Sequence, residues 1–252
     1  MSLSRIKHPV SSIVWFALCT LSSLNALAGV RHFTFLYEAP TSAPGSFELE
    51  NTVSWAHGSS ESRNDVFIRE EVEIGITDRF QLGLYPLDWS HHTEDGFTYD
   101  GGAVEMIYNL SNPVVDPVGI SLYEEISAAR RHFELESKLI AQKNLGRWIF
   151  DYNATLEAEW EERHLEQQQG ELQQALGASY EISPRLSVGL EFLHELVFPG
   201  WGDEEKIRNV FVGPNVSYRR NQWFVTVTAL AQATDTEDEP NFQLRTIFGI
   251  GF

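Results

Sequence analysis

The sequence predicts an all-β fold, a transmembrane antiparallel β-barrel of about 12 strands with an even strand count. Three observations predict this fold. Apolar and polar side chains alternate along many short stretches, turn signals separate these stretches at alternately short and long intervals, and aromatic side chains lie near both ends of the stretches. Alternation with a period of two is typical of strands. Short turns at one end and longer loops at the other are typical of outer-membrane barrels.

The alternation is clearest between Trp148 and Trp160. Every even-numbered residue there is apolar, whereas the odd-numbered residues include Asp151, Glu157 and Glu159. The same pattern recurs at residues 47–55, 186–192, 210–218 and 242–252. Short turn signals lie at residues 77–79, 112–117, 144–146, 183–185 and 219–222, and a tight connection lies at 129–131. Longer polar loops are predicted at residues 58–64, 90–101, 162–170, 198–208 and 233–240.

Two features of the pattern allow another interpretation. Residues 156–178 are rich in Glu, Gln, Leu and Ala and could form an amphipathic helix. We prefer a hairpin, because the alternation enters and leaves residues 167–170 intact. Glu70 and Glu124 fall on the otherwise apolar face, which implies a bulge or an interfacial position at each.

A water-soluble β-sandwich would also alternate, and the aromatic residues distinguish the two folds. In a membrane barrel, aromatic side chains collect at both membrane interfaces. Large apolar or aromatic residues stand beside the short turns at Phe47, Phe80, Tyr108, Trp148, Tyr180, Tyr218, Trp223 and Phe252. A second set stands near the long loops at Trp55, Trp89, Tyr99, Trp160, Phe198 and Trp201. Two such bands favour the barrel.

The amino terminus has the three parts of a secretory signal peptide. Arg5 and Lys7 precede an apolar stretch at residues 13–24, and a small-x-small sequence follows at 26–28. The alternative, a membrane anchor, needs about 20 apolar residues, more than this stretch contains. We therefore expect residues 1–28 to be cleaved.

The remaining chain divides into an N-terminal segment, residues 29–46, and a barrel, residues 47–252. Residues 32–39 also alternate, but one more strand would make the count odd. We expect this stretch to pair at the periplasmic end of the barrel or to tuck into its lumen.

Composition excludes several classes of protein. The chain has 252 residues and a formal charge of −18, from 36 Asp and Glu against 18 Lys and Arg. Nucleic acid is an unfavourable partner for such a chain, because phosphates attract Lys and Arg. The single cysteine, Cys19, lies in the predicted leader. We therefore expect neither a disulfide nor a thiol nucleophile in the mature protein.

The sequence also resembles known proteins. The carboxyl end, which terminates in Phe252, resembles the signature by which outer-membrane barrels are recognised for assembly. The wider chain resembles a family of Gram-negative outer-membrane barrels of unknown function. The stretches that carry the resemblance are FLYEAPTSAPGSFELENTVSW (35–55), EVEIGITDRFQLGLY (71–85), DPVGISLYEE (116–125), LIAQKN (139–144) and NATLEAEWE (153–161).

The resemblance implies a barrel in the outer membrane and no particular functional residue. The partners it implies are outer-membrane lipid, lipopolysaccharide and, through the C-terminal strand, the barrel-assembly machinery.

If the apolar side chains face lipid, the charged ones face the lumen. The predicted lumen-lining acids are Glu48, Glu50, Glu71, Glu73, Glu105, Glu125, Glu134, Glu136, Asp151, Glu157, Glu159 and Glu191, with Glu161, Glu171, Glu181 and Glu195 on the same register. The predicted lumen-lining bases are Arg69, Lys138 and Arg245. An acid-lined aqueous channel favours cations. We therefore predict a passive channel for small cationic or neutral solutes. The alternative is a closed barrel, filled by these long side chains, with a structural or surface-interaction role.

No enzyme activity, cofactor or metal site is predicted. A hydrolase needs a Ser, a His and an acid that converge. Ser90, His91 and Glu94 are neighbours, but the Gly-x-Ser-x-Gly turn is missing, so a lipid hydrolase is the least favoured function. Residues 91–95 offer metal ligands, and the acidic stretches 203–205 and 235–239 offer oxygen ligands, without the spacing of a calcium loop.

Overall fold

The computed structural model describes residue 29 and residues 31–58, 64–92, 96–161, 167–200, 206–236 and 239–252. These residues form twelve strands: β1 (Phe47–Gly58), β2 (Asn64–Thr77), β3 (Phe80–His92), β4 (Gly96–Ser111), β5 (Gly119–Ala129), β6 (His132–Leu145), β7 (Trp148–Glu161), β8 (Gln167–Ser183), β9 (Leu186–Phe198), β10 (Ile207–Arg220), β11 (Trp223–Gln232) and β12 (Pro240–Gly251). Within the described ranges, no helix is long and apolar enough to cross a membrane.

The strands close into a barrel. Each strand pairs antiparallel with its neighbours in the chain, and β12 pairs with β1. The predicted fold class, an antiparallel barrel of twelve strands, is confirmed. Closure leaves no unpaired strand edge, which is a requirement for a sheet in a lipid bilayer.

The alternation separates an outer face from an inner face. In β7, Trp148 and Phe150 are exposed, whereas Asp151, Asn153 and Thr155 are buried. Rows of aromatic pairs lie at both ends of the barrel. Trp148 packs on Tyr180 and Tyr218 packs on Trp223 at the short-turn end, and Trp89 packs on Tyr99 and Phe133 on Trp160 at the long-loop end.

Two predicted loops are too long. The residue pairs Ser90–Thr98 and His91–Phe97 belong to the β3–β4 ladder, and Glu159 pairs with Gln169 in the β7–β8 ladder. Backbone groups in these positions obtain partners by continuing the hairpin, which explains the extra strand length. The β7–β8 hairpin also replaces the helix considered for residues 156–178. Residues 93–95, 162–166 and 201–205, which include predicted loop ligands, lie outside the described residues.

The two acids on the apolar face have different surroundings. The β2–β3 pairing shifts register directly after Glu70, so a bulge lies beside this residue, as expected. Glu124 has no such shift beside it. Its carboxylate is exposed on the outer face and accepts a 2.6 Å hydrogen bond from the Ser137 hydroxyl.

The predicted assembly signal lies at the seam of the barrel. The backbone N–H of Phe252 donates to the carbonyl of Phe47 at 2.8 Å, and the Phe252 side chain is exposed. The carboxyl terminus is therefore attached to the strand with which the barrel closes.

The N-terminal segment lies inside the barrel, along its inner wall. Its backbone first contacts β10 and β11, and then β9 and β7. It next contacts β4, β5 and β6 together, and finally β3 and β2, before it continues as β1 at Phe47. The segment thus makes almost one full circuit of the lumen, rather than pairing as a thirteenth strand.

Candidate functional site: the occupied lumen

Polar side chains of the wall hold the backbone of the N-terminal segment. Asn153 on β7 binds Tyr37 twice: its Oδ1 accepts the Tyr37 N–H at 2.7 Å, and its Nδ2 donates to the Tyr37 carbonyl at 3.0 Å. At Ala39, the N–H donates to Gln142 Oε1 at 2.9 Å, and the carbonyl accepts from Asn109 Nδ2 at 2.7 Å. A buried irregular segment needs such partners for its peptide groups.

Glu191, one of the predicted lumen acids, is a backbone anchor. Its carboxylate accepts the N–H of Phe35 at 2.8 Å and the N–H of Thr34 at 3.1 Å. It also accepts from Asn215 Nδ2 at 2.8 Å and from the Thr228 hydroxyl at 2.5 Å. Four donors therefore surround this carboxylate, and Glu191 holds the segment rather than facing open water.

An apolar cluster fills one side of the lumen. Phe33 and Leu36 of the segment pack among inward-facing residues of the wall, which are Ile149, Ala175, Leu193, Phe211 and Leu230. Gly177 on β8 makes room for this contact, because a Cβ there would lie 2.5 Å from Phe33 Cε1. This part of the lumen is not polar, contrary to the expectation of a charged bore. The segment supplies the apolar partner that the inward-facing Ile149 and Phe211 need.

The other side of the lumen carries a network of acids, tyrosines and bases. Glu105, whose exposed fraction is 0%, accepts the hydroxyls of Tyr85 at 2.6 Å and Tyr37 at 3.0 Å. Arg69 Nη2 donates to Glu125 at 2.8 Å, and its guanidinium lies 4.0 Å from the centre of the Tyr85 ring.

Three more basic side chains lie in the lumen, and two of them form ion pairs with acids. Arg31 of the segment contacts Glu50 at 3.0 Å and Glu71 at 3.8 Å. Lys138 Nζ contacts Glu136 at 2.8 Å and lies 4.4 Å from the centre of the Tyr37 ring. The third predicted base, Arg245, has its guanidinium 3.9 Å from the Phe35 ring. Predicted bases and acids thus meet in the lumen, together with Arg31 and Tyr37, which the strand pattern did not single out.

His32 and Tyr37 are titratable groups of the N-terminal segment. Burial alone would lower the pKa of His32, but the Glu38 carboxylate, 2.8 Å from Nδ1, outweighs burial, and the net result is a raised pKa. Burial and the charge of Glu105 raise the pKa of Tyr37 well above its usual value, so its hydroxyl stays a hydrogen-bond donor.

Not every predicted acid has a partner. Both oxygens of Asp151 and one oxygen each of Glu71 and Glu105 have no hydrogen-bond partner within the described part of the chain. Asp151 faces the short-turn half of the lumen and is 3% exposed. Such groups require water, a cation or a proton to be stable in place.

Glutamates stand directly opposite one another on β6–β8. Glu134 pairs with Glu159, Glu136 pairs with Glu157, and Glu157 pairs in turn with Glu171. We call these five residues, with Glu161 and Glu195 beside them, the mouth cluster, because they lie toward the long-loop end of the lumen. Like charges directly opposite in a sheet repel one another. The mouth cluster therefore concentrates acidic side chains at the long-loop end of the lumen.

Two cavities flank the network at the middle of the lumen. The larger, about 530 Å³, opens at the short-turn end and is lined by Arg31, Tyr37, Glu48, Glu50 and Glu73 among others. The smaller, about 260 Å³, is lined at the long-loop end by residues that include Arg69, Glu125 and Glu134. The contacts that join Tyr37, Glu105, Tyr85 and Arg69 lie between the two cavities.

The residues considered for a hydrolase do not converge. The Ser90 hydroxyl donates to Asp100 at 3.0 Å on the inner face, whereas His91 packs on Phe97, ring centres 4.7 Å apart, on the outer face. His92 faces inward again and contacts Asp65 at 2.9 Å. Successive residues of a strand point to opposite faces, so this alternation separates Ser90 from His91.

A group of three side chains that could hold a cation lies on β6 and β7. His132, Glu159 and Glu161 each offer a ligand atom, and these atoms lie within 4.8 Å of one another. His132 on β6 pairs with Glu161 on β7. Spacing along the chain did not indicate this group, because its members come together across two strands.

The fold and the occupied lumen define a class of protein, an outer-membrane β-barrel of the channel-like kind. The chain is similar to the COG4313 outer membrane channel from Pseudomonas putida F1, with a TM-score of 0.64, 11% identity, and coverage of 87% of this chain and 100% of that one. It is also similar to the NanC porin, with a TM-score of 0.56, 9% identity, and coverage of 81% and 98%. At such identities the likeness shows the fold alone.

The chain belongs to a family of unknown function, DUF6662, whose model matches residues 25–243. A search of curated proteins found no match. The expected resemblance to an outer-membrane barrel family of unknown function is therefore confirmed.

Proposed function

We propose that the protein is a passive channel of the Gram-negative outer membrane that favours small cations and admits small neutral solutes. In this proposal, a signal peptide exports the chain, the barrel-assembly machinery recognises the strand that ends in Phe252, and the aromatic bands contact lipid and lipopolysaccharide. Nucleic acid has no part in it, because the chain carries a charge of −18.

The mouth cluster is the observation that carries the proposal. Its carboxylates face one another across β6–β8, and the nearest bases, Lys138 and His132, contact only some of them. Uncompensated carboxylates attract cations and repel anions at the entrance of an aqueous path. The N-terminal segment narrows that path, because it lies inside the lumen along the inner wall of the barrel.

Recording from planar bilayers tests the proposal. Under a KCl gradient, we expect the reversal potential of the wild type to have the sign of cation selectivity. The triple variant Glu136→Gln, Glu157→Gln, Glu171→Gln should shift that potential toward zero, because it removes charge while keeping side-chain size. Glu124→Gln, on the outer face, is the matched control and should leave selectivity unchanged. No conductance above background, or anion selectivity in the wild type, would refute the channel.

A closed barrel is the second candidate, and the N-terminal segment favours it. Phe33, Leu36 and Tyr37 fill much of the lumen, and the two cavities lie on opposite sides of a hydrogen-bonded network. The protein would then act through its acidic external loops. This candidate predicts no conductance and an envelope phenotype when those loops are deleted.

The proposal includes no enzymatic step. A lipid hydrolase built on Ser90 and His91 would require both side chains at one mouth, whereas they lie on opposite faces. If purified protein did hydrolyse phospholipid, and Ser90→Ala abolished that activity, the hydrolase would replace the channel.

A further inference from the structure

The two ends of the N-terminal segment meet at the same strand. The backbone nitrogen of Gly29 lies 2.6 Å from Glu48 Oε2, and Glu48 is the second residue of β1, directly after the segment ends. After its circuit of the lumen, the chain therefore returns to the side of the barrel where the segment begins.

The surroundings of Glu48 are short of positive charge. Glu48, Glu50 and Glu73 line the larger cavity, and Arg31 is the only basic side chain among its described lining residues. Arg31 is engaged by Glu50 and Glu71. Glu48 stands directly opposite Glu73 in the β1–β2 ladder, whose carboxylate accepts the Ser42 hydroxyl. A second cation beside Glu48 would compensate the carboxylate charge that Arg31 leaves unpaired in this cavity.

Gly29 itself is suited to close contact with this carboxylate. A Cβ built on Gly29 would lie 3.2 Å from Glu48 Oε1, closer than an ordinary contact. A side chain at this position would require the carboxylate to shift by a few tenths of an ångström.

We propose that removal of the leader turns the Gly29 nitrogen into an α-ammonium group, and that Glu48 binds this ammonium inside the barrel. In the cleavage step, water adds its hydroxyl to the carbonyl carbon of Ala28 and a hydrogen to the nitrogen of Gly29. The new amine takes a further proton from solvent, since α-amines have a pKa of about 8. The contact of a neutral peptide N–H with Glu48 becomes a charge-assisted hydrogen bond, which is about twice as strong.

The binding closes the N-terminal segment into a ring that is fastened at both ends to β1. The far end is covalent, through Phe47, and the near end is the ammonium–carboxylate pair. Processing of the leader thus supplies the cation that the Glu48 pocket lacks, and the mature amino terminus is an internal ligand of the barrel.

The test measures access to the amino terminus of protein extracted from outer membranes. Intact mass should first show a chain that starts at Gly29. The folded protein is then treated with 2-pyridinecarboxaldehyde, which is selective for α-amines, and the labelling rate is followed by mass spectrometry. We expect Glu48→Gln to be labelled about tenfold faster than the wild type, because the charge-assisted bond is lost.

Two controls separate this effect from loosening of the barrel. Glu73→Gln removes a carboxylate from the same cavity without removing the partner of Gly29, and Glu124→Gln changes the outer face. Both should be labelled within about twofold of the wild-type rate. Heat-modifiable migration on gels verifies that each variant is folded. If Glu48→Gln does not fold, a variant with one extra Gly after residue 28 displaces the amine from Glu48 and should also be labelled faster.

Equal labelling rates in the wild type and the folded variant, or an amino terminus other than Gly29, would overturn the proposal. The readout is independent of conductance, so a barrel that conducts no ions still tests it.

Discussion

The carboxylate of Glu191 on β9 accepts the backbone N–H of Phe35 at 2.8 Å, 156 residues away in the sequence. This contact joins the wall of the barrel to the segment inside it. Because Thr34, Asn215 and Thr228 donate to the same carboxylate, the loss of Glu191 would leave several buried donors without a partner.

Glu191→Ala should therefore destabilise the barrel. Each buried donor left unpaired costs about 1–3 kcal/mol, so we expect a loss of at least about 2 kcal/mol in the free energy of unfolding. Urea unfolding in lipid vesicles, followed by tryptophan fluorescence, measures it. Glu124→Ala on β5, whose carboxylate is exposed on the outer face, is the control and should change stability little. An unchanged urea midpoint for Glu191→Ala would show that Glu191 does not anchor the segment.

Gly177→Ala should displace Phe33 from its site. The added methyl would lie 2.5 Å from the Phe33 ring if nothing moved, and overpacking of this kind costs about 1–3 kcal/mol. Combining Gly177→Ala with Phe33→Ala removes the clash, so the double variant should be more stable than the sum of the single effects predicts. Additive urea midpoints across this cycle would indicate that the two residues are not in contact.

Tyr37→Ala should raise single-channel conductance, because the ring lies between the two cavities and contacts Lys138 and Arg31. Tyr37→Phe keeps the ring and loses only the hydroxyl that donates to Glu105. We expect Tyr37→Phe to conduct like the wild type. Similar conductance in Tyr37→Ala and Tyr37→Phe would mean that the ring does not limit the passage.

Much of the fold could be predicted from the sequence, because strands are indicated by a local alternation of apolar and polar residues. The alternation of Trp148 with Asp151 and its neighbours identifies both faces of β7 without reference to any other strand. The apolar cluster in the lumen could not be predicted in this way. Ile149 and Phe211 face inward on the polar register, and only the distant Phe33 gives them an apolar partner.

The spacing of residues along the chain reveals little about the sites, because their members are also brought together from distant parts of the sequence. His132 meets Glu161 through the β6–β7 register, and Glu191 meets Phe35 only once the segment has entered the barrel. The charge of each residue is evident from the sequence, but its partner depends on closure of the sheet.

The stability of the N-terminal segment should depend on pH through His32. The folded-state pKa of His32 is raised, so the contribution of its pair with Glu38 is fully present below about pH 6.5, the unfolded value. It is lost as the pH rises through the raised folded-state pKa. The charge of Glu181 raises the pKa of His32 further, whereas the charge of Arg219 lowers it.

Urea midpoints measured at pH 5.5 and pH 9 test this pH dependence. The wild type should lose more stability between the two values than His32→Gln, in which the titrating group is absent. An equal loss in both proteins would assign the pH dependence to other groups.

The circuit of the N-terminal segment has a consequence for the order of assembly. The segment leads directly into β1, and β1 forms the closing seam with β12. Residues 31–46 contact strands from β2 to β11. They must therefore enter the lumen either before β1 pairs with β12 or afterwards, by threading into a closed barrel. The first route lets Glu191, Asn153 and Gln142 receive the segment strand by strand. The barrel would then be wrapped around its own amino terminus during insertion, and a chain that lacked residues 31–46 would close around an empty space.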